Sequence, residues 1–314
     1  MIPMVIDTDT ASDDAVALVL ALTDPRVDVR AITVVSGNVP LAMGVQNALY
    51  TTALCGSEAP VYAGADRPLV RDHVFAHEVH GGDGMGDSGL PLTGREPAPG
   101  HGVDVLIDMA RQHPGELTLV TLGPLTNLAL ALRKAPDIAG LYKKVVMMIG
   151  AADGLGNVTP AAEFNVHVDP EAADIVFRSG MPLEMVGWDV SRKDAVLTSA
   201  DSAALAERGP LGEFAMKIQR QLWEFCREVT HVDGIDMPDP VTMAIAIEPD
   251  LATEAADRYV VVETRGQHTA GATLVDHLGV TGKEPNVRVV LHADHDRFMA
   301  MLHEACGKPA SPVG

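Results

Sequence analysis

The stretch Val5-Ile6-Asp7-Thr8-Asp9-Thr10-Ala11-Ser12-Asp13-Asp14-Ala15 packs four carboxylates into eight residues, between the apolar run Ile2–Ile6 and a second one that reaches Thr23. Four like charges held close together raise one another's pKa, and burial raises them further unless a cation compensates. The apolar flanks put this acidic turn at the top of a buried strand, not on open surface. Helix capping accounts for part of it. Ser12 or Asp13 suits the N-cap, and Asp14 in the first turn suits the helix dipole. Capping leaves Asp7 and Asp9 unexplained, and these two alternate on an extended backbone and so project to the same side. A divalent hard cation bound through oxygen is the simplest compensation.

The rest of the chain alternates short apolar runs with helical ones. Beyond the first strand, strands are expected at Val29–Val35, Pro60–Tyr62, Leu117–Leu122, Val145–Ile149, Leu183–Val186, Tyr259–Glu263, Thr273–Val275 and Val287–Leu291. Helices are expected at Asp13–Thr23, Leu41–Leu54, Val103–Gln112, Leu125–Arg133, Pro170–Ser179, Val241–Ile247 and Asp294–Ala305, and over Ala200–Thr230 with a break at Gly209-Pro210. Asp13–Thr23 is apolar nearly all round, which marks a buried helix. Such alternation predicts an α/β fold with an open, doubly wound, mostly parallel sheet. No repeat or linker interrupts the chain, so residues 1–314 are expected to form a single domain. Aromatic residues make up only 4%, so aliphatic side chains must fill the core.

Composition excludes several functions. A net charge of −20 argues against nucleic-acid and anionic-membrane binding, both of which need a basic footprint. Cys55, Cys226 and Cys306 are far apart and lack CxxC spacing, which fits a reducing cytoplasm and no disulfide framework or zinc knuckle. No apolar run approaches the ~20 residues that span a bilayer. A cytoplasmic protein is expected. The first strand-to-helix turn has no glycine and is acidic, so it would repel the pyrophosphate of a dinucleotide. The segment Arg67–Gly100 is too long for an ordinary connection and is rich in Gly, Pro, Asp and His. His77, His80 and Asp83 have metal-like spacing there, but a polar loop explains them as well, and no zinc site is assigned.

In doubly wound folds the site lies at the carboxyl ends of the strands. Those ends carry Asp7 and Asp9, Asn38, the Leu122 turn, and then Asn157, Glu163 and Asn165. The order and content of these motifs resemble the nucleoside hydrolases, the inosine–uridine-preferring family and its relatives. The resemblance runs through Asp7–Ala15, Ser36-Gly37-Asn38-Val39, His80–Gly86, Leu122–Asn127, Gly156–Asn165 and Asp239-Pro240, nearly the whole chain. It implies a Rossmann-like α/β fold, a bound Ca²⁺ and the hydrolysis of ribonucleosides to ribose and free base. It further implies that Asp9, Asp14, Asp239 and the carbonyl of Leu122 hold the ion. Asp9 would activate a calcium-bound water, and Asp13, Asn38, Asn157, Glu163 and Asn165 would hold the ribose hydroxyls. Asp7 would support the others from behind. Such hydrolysis passes through an oxocarbenium-like sugar, which calls for nearby negative charge and a positioned water.

One departure concerns the leaving base. Many members of the family carry a His directly before the second metal-motif Asp, where this chain has Pro238. His80, His231 or His77 would have to donate the proton instead, and His80 matches a family position near the base. Trp188, Trp223 and Phe225 are candidates for a base-stacking wall, with core packing as the simpler reading. Family members are usually dimers or tetramers, so a homodimer or homotetramer acting on a small nucleoside is expected. Two other functions are weaker fits. A haloacid-dehalogenase-like phosphatase would use Asp7 and Asp9, with Thr121 in its second motif, but lacks a convincing later acidic pair. A non-catalytic nucleoside- or ribose-binding protein has only Pro238 in its favour.

Overall fold

The computed structural model describes residues 1–230 and 234–313. Twelve strands are present among them. These are β1 (Ile2–Thr8), β2 (Val27–Val34), β3 (Val61–Ala63), β4 (Thr118–Thr121), β5 (Lys144–Met148), β6 (Leu183–Val186), β7 (Val196–Leu197), β8 (Ile235–Asp236), β9 (Ala252–Arg258), β10 (Val260–Val262), β11 (Thr273–Val275) and β12 (Val287–Ala293). Eight of them form one sheet in the order β3-β2-β1-β4-β5-β6-β12-β9. Every pairing in that sheet is parallel except β12 with β9. β10–β11 and β7–β8 are small antiparallel ribbons.

The α/β expectation is met for a physical reason visible in β1. Its alternate residues Met4 and Ile6 enter one apolar cluster and Val5 enters the other, so both faces of the strand are covered. A strand buried on both faces reads as a continuous apolar run. Helix Ser12–Thr23 is buried from Ser12 through Ala21 and packs against helix Pro238–Ile247, which is why its apolar residues do not keep to one stripe.

β9 escaped the sequence reading. Its residues Ala252–Arg258 include Glu254 and Asp257 and are nowhere fully buried. The strand closes the open edge of β12 with its backbone, while its side chains meet water, so it carries no apolar run to read. The expected break at Gly209-Pro210 is present, with Pro210 in the first turn of helix Pro210–Lys217. The chain breaks again before helix Arg220–Phe225, which passes into a π-helical turn at Cys226–Thr230.

Behind the site, Asn127 joins three segments. Its side-chain amide donates to Asp7 Oδ1 at 2.8 Å and to the Val34 carbonyl at 3.2 Å, and its oxygen accepts from Ala65 N at 2.8 Å. All of these groups are buried, so losing Asn127 leaves several of them unpaired. Asn127→Ala is expected to lower unfolding stability by about 2 kcal/mol or more. Urea titration checks this, and a loss below about 0.5 kcal/mol contradicts it.

Candidate active site

The acidic turn folds around its own carboxylates. Thr10 sits at φ 27°, a left-handed value that is strained for a β-branched residue. Local hydrogen bonds hold it there. Thr8 Oγ1 donates to Asp14 Oδ1 at 2.5 Å, Thr10 N donates to Thr8 Oγ1 at 3.0 Å, and Asn47 Nδ2 donates to the Thr10 carbonyl at 2.9 Å. Asp14 Oδ2 accepts from Ala11 N at 2.9 Å, so this carboxylate caps the helix it belongs to.

Asp9 is fully buried. Its Oδ2 accepts from Asn38 N at 2.5 Å, and its Oδ1 has no protein partner. Two glycines make room for it. A Cβ on Gly37 would run into Asp9 Oδ2, and one on Gly123 would come within 2.8 Å of Oδ1. Asp13, Asp14 and Asp239 each offer a carboxylate oxygen, all within 4.8 Å of one another; they are the metal-competent cluster among the described residues. Asp239 arrives in the first turn of helix Pro238–Ile247. Burial pushes Asp14 up to about 7, and it lifts Asp9 and Asp239 well above the usual carboxylate range. The Asp14 charge adds to the shift of Asp9, and the Asp13 charge adds to those of Asp14 and Asp239. The donors are hard oxygens crowded with excess negative charge, and Asp9 Oδ1 and Asp13 Oδ1 are buried without a hydrogen-bond partner. That set fits a divalent hard cation. Asp7 stands apart, taken by Thr33 Oγ1 at 2.5 Å and by Asn127, with burial raising it to about 7.

Above this cluster opens a cleft of about 740 Å³, counting its open mouth. Asp13, Asn38, Leu122, Asn157, Glu163, Asn165 and Asp239 all line it, so the candidate sugar residues do come together. Glu163 caps helix Phe164–Val168 by accepting from Asn165 N at 2.8 Å and Val166 N at 3.3 Å, and it also accepts from Gly150 N at 2.8 Å. Burial raises its pKa to about 7. Asn165 Nδ2 donates to the carbonyls of Leu122 (2.9 Å) and Met148 (3.2 Å), which fixes the direction of the Leu122 oxygen. Asn157 lies exposed at the rim, its backbone N bonded to the Ala162 carbonyl at 3.1 Å.

The other wall is apolar, built from Val79, Val158, Phe164, Trp188, Leu222 and Phe225. Trp188 is half-buried, packs against the apolar core and also lines the cleft. Phe225 faces the cleft as well, whereas Trp223 is not part of the lining. His77 is exposed, away from the cleft, and His231 lies outside the described residues. Asp83 accepts from Met85 N and Asp87 N within its own turn, so the metal-like spacing with His77 and His80 is turn geometry.

His80 is buried and lines the cleft, and its hydrogen bonds determine its tautomer. Gln219 Nε2 donates to the Ser12 carbonyl at 2.8 Å, which orients Oε1 to accept from Ser12 Oγ at 3.0 Å. Ser12 Oγ, 2.8 Å from His80 Nδ1, must therefore accept there. The neutral ring carries its proton on Nδ1 and offers Nε2 as an acceptor. Burial lowers the pKa of His80, opposed by the Asp13 charge, so the doubly protonated form is disfavoured. Sequence reading missed Ser12 and Gln219 as partners and missed Asp236 in the cleft. Asp236 carried a readable signal, lying three residues before Asp239 in Asp236-Met237-Pro238-Asp239.

The raised carboxylates bear on stability. A carboxyl whose folded pKa exceeds its unfolded value of ~4 binds more protons folded than unfolded, so stability falls as pH rises between the two. Without divalent cations, the urea midpoint of the protein is expected to fall from pH 5 to pH 7.5 more steeply than that of Asp14→Asn. Equal slopes contradict this.

A family model described as inosine-uridine preferring nucleoside hydrolase matches residues 4–300. The pyrimidine-specific ribonucleoside hydrolase RihA of Citrobacter koseri is 38% identical over 305 residues, covering 96% of this chain and 97% of that one. A solved plant nucleoside hydrolase superposes with a TM-score of 0.90 at 33% identity, covering 98% of this chain and 99% of that one. A purine-preferring ribonucleoside hydrolase from Gardnerella vaginalis gives a TM-score of 0.90 at 31% identity, with 97% and 99% covered.

Proposed function

The chain belongs to the inosine-uridine preferring nucleoside hydrolase family, and from that premise we propose that it is a Ca²⁺-dependent hydrolase of the N-glycosidic bond of ribonucleosides. The observation that carries the reading is the buried, unpartnered Asp9 Oδ1 beside the Asp13–Asp14–Asp239 cluster, beneath a cleft rimmed by amides. Asp9, Asp14, Asp239 and the Leu122 carbonyl would hold the ion. Bound there, Ca²⁺ supplies a positive centre that holds sugar hydroxyls and acidifies a water.

The protein's own groups do the rest. Asp13, Asn38, Asn157, Glu163 and Asn165 bind and orient the ribose. Asp9 Oδ1 takes the proton of the attacking water. The surrounding carboxylates stabilise the positive charge that develops on the sugar as the bond to the base lengthens. The apolar wall accepts the base and keeps water from that side. A small neutral substrate agrees with the net charge of −20. Among the described residues no helix is long and apolar enough to cross a membrane. By family resemblance we read the enzyme as a cytoplasmic homodimer or homotetramer. The phosphatase alternative has less support, because Asp7 Oδ1 is engaged by Thr33 and Asn127 behind the acidic cluster.

Incubation with inosine, adenosine, uridine and cytidine is expected to release base from at least one of them. Release of phosphate from a phosphoester with no base from any nucleoside overturns the reading. Asp9→Asn is expected to lower kcat by about 10²-fold or more; a near-normal kcat removes Asp9 from the water-activating role. Chelation with EGTA is expected to abolish turnover and lower Tm, with Ca²⁺ restoring both. Unchanged Tm and activity after exhaustive chelation rule out the ion.

A further inference from the structure

Among the described residues, the cleft contains one carboxyl that neither the cation cluster nor the sugar rim uses. Asp236 ends β8, whose pairing with β7 sets Asp236 opposite Val196, so its backbone is fixed by a ribbon. Its side chain is held asymmetrically. Oδ2 accepts from the Trp188 indole N–H at 2.6 Å, while Ser191 Oγ, 3.1 Å away, shares its one proton with the Trp188 carbonyl at 2.8 Å. Among the described residues, the contact at Oδ1 is the Cys226 thiol at 4.0 Å. The indole donor on Oδ2 makes that oxygen the acceptor of the carboxyl and leaves the acidic proton to Oδ1. The side chain shares the cleft wall with Trp188, Phe225, Cys226 and Pro238, on the apolar side.

Among the described residues, the cleft groups assigned so far also leave one chemical task unfilled. A nucleoside's base leaves far more readily when a nitrogen or oxygen on it is protonated as the bond breaks. Pro238 has no proton to give. His80 presents a lone pair at Nε2, for the hydrogen-bonding reasons given above. We propose that Asp236 is the general acid that protonates the leaving base, with Trp188 as the residue that positions it. This rests on the ribonucleoside hydrolase reading.

The step balances. As the C1′–N bond breaks, its electron pair goes to the base and the proton on Asp236 Oδ1 goes to a ring nitrogen or exocyclic oxygen of that base. Water adds to C1′ and gives its proton to Asp9. The products are ribose and neutral base, and proton exchange with solvent resets both carboxyls. Burial raises the Asp236 pKa, and the Asp13 charge adds to it, while the Trp188 and Ser191 hydrogen bonds oppose it. Among the described residues, the charged and titratable groups around Asp236 are the Cys226 thiol, Asp13, His80, Glu163 and Asp239 in the cleft lining, and Arg192. That guanidinium stacks 4.5 Å from the Trp188 ring and is ion-paired with Asp153.

The test separates leaving groups that need a proton from one that does not. Asp236→Asn keeps the size and the acceptor for Trp188 and Ser191 but has no acidic proton. On nucleosides its kcat is expected to fall about 10²- to 10³-fold. On 4-nitrophenyl β-D-ribofuranoside, whose nitrophenolate leaves unprotonated, it is expected to stay within about threefold of wild type. Equal losses on both substrates, or no loss on either, overturn the proposal. Trp188→Phe removes a donor that stabilises the carboxylate, so the alkaline limb of kcat on nucleosides is expected to move to higher pH; an unmoved limb overturns the positioning role. Failure of the wild type on every nucleoside and on the nitrophenyl riboside overturns the hydrolase reading and this one with it. Wild-type turnover with an unaffected variant overturns this one alone.

Discussion

The repulsion among buried carboxylates governs how this protein is built. Asp9, Asp13, Asp14 and Asp239 come from two distant parts of the chain, yet they are buried close enough that the charge on one raises the cost of ionising another. The scaffold is arranged to hold that unfavourable set in place. β1 is covered on both faces, helix Ser12–Thr23 is packed against helix Pro238–Ile247, and Gly37 and Gly123 leave no slack around Asp9. Strain at Thr10 and the Asn127 bridge behind Asp7 belong to the same arrangement. Stability and function thus draw on the same residues, since the groups that would bind a cation are those that cost most without it.

The cleft divides along chemical lines. One side is polar and is made from strand ends of the main sheet, where Leu122, Glu163 and Asn165 are tied to backbone groups. The other is apolar and comes from Val79, Val158 and Phe164 and from the helices Trp188–Asp194 and Arg220–Phe225. A ribose presents the same hydroxyls whatever base it carries, so a rigid polar side suits it. Bases differ in size and edge chemistry, and the apolar side lies on segments outside the main sheet.

Much of this was legible because burial and function left the same marks. Asp7–Asp14 between two apolar runs could only be a strand top, and the βα alternation placed Asn38, Leu122 and Glu163 on the same edge. What escaped was held by contacts distant in sequence. Gln219 orients Ser12 and through it His80, across 207 residues, and nothing local to Gln219 announces that. β9 was invisible because an edge strand facing water needs only its backbone to pair. Trp188 reads as a core residue until its indole is seen bonded to Asp236.

The β7–β8 ribbon has a wider consequence. It joins the segment after β6 to the segment before Asp239, so Asp236 and its partner Trp188 are held in the cleft lining outside the main sheet, within a few residues of a cluster carboxylate. Substitutions along that ribbon can shift this part of the cleft while the sheet and its polar edge stay as they are. Divergence within such a scaffold is therefore freest at one end of the substrate and nearly frozen at the other. The names of the similar proteins, pyrimidine-specific in one case and purine-preferring in another, are the pattern such a division would leave.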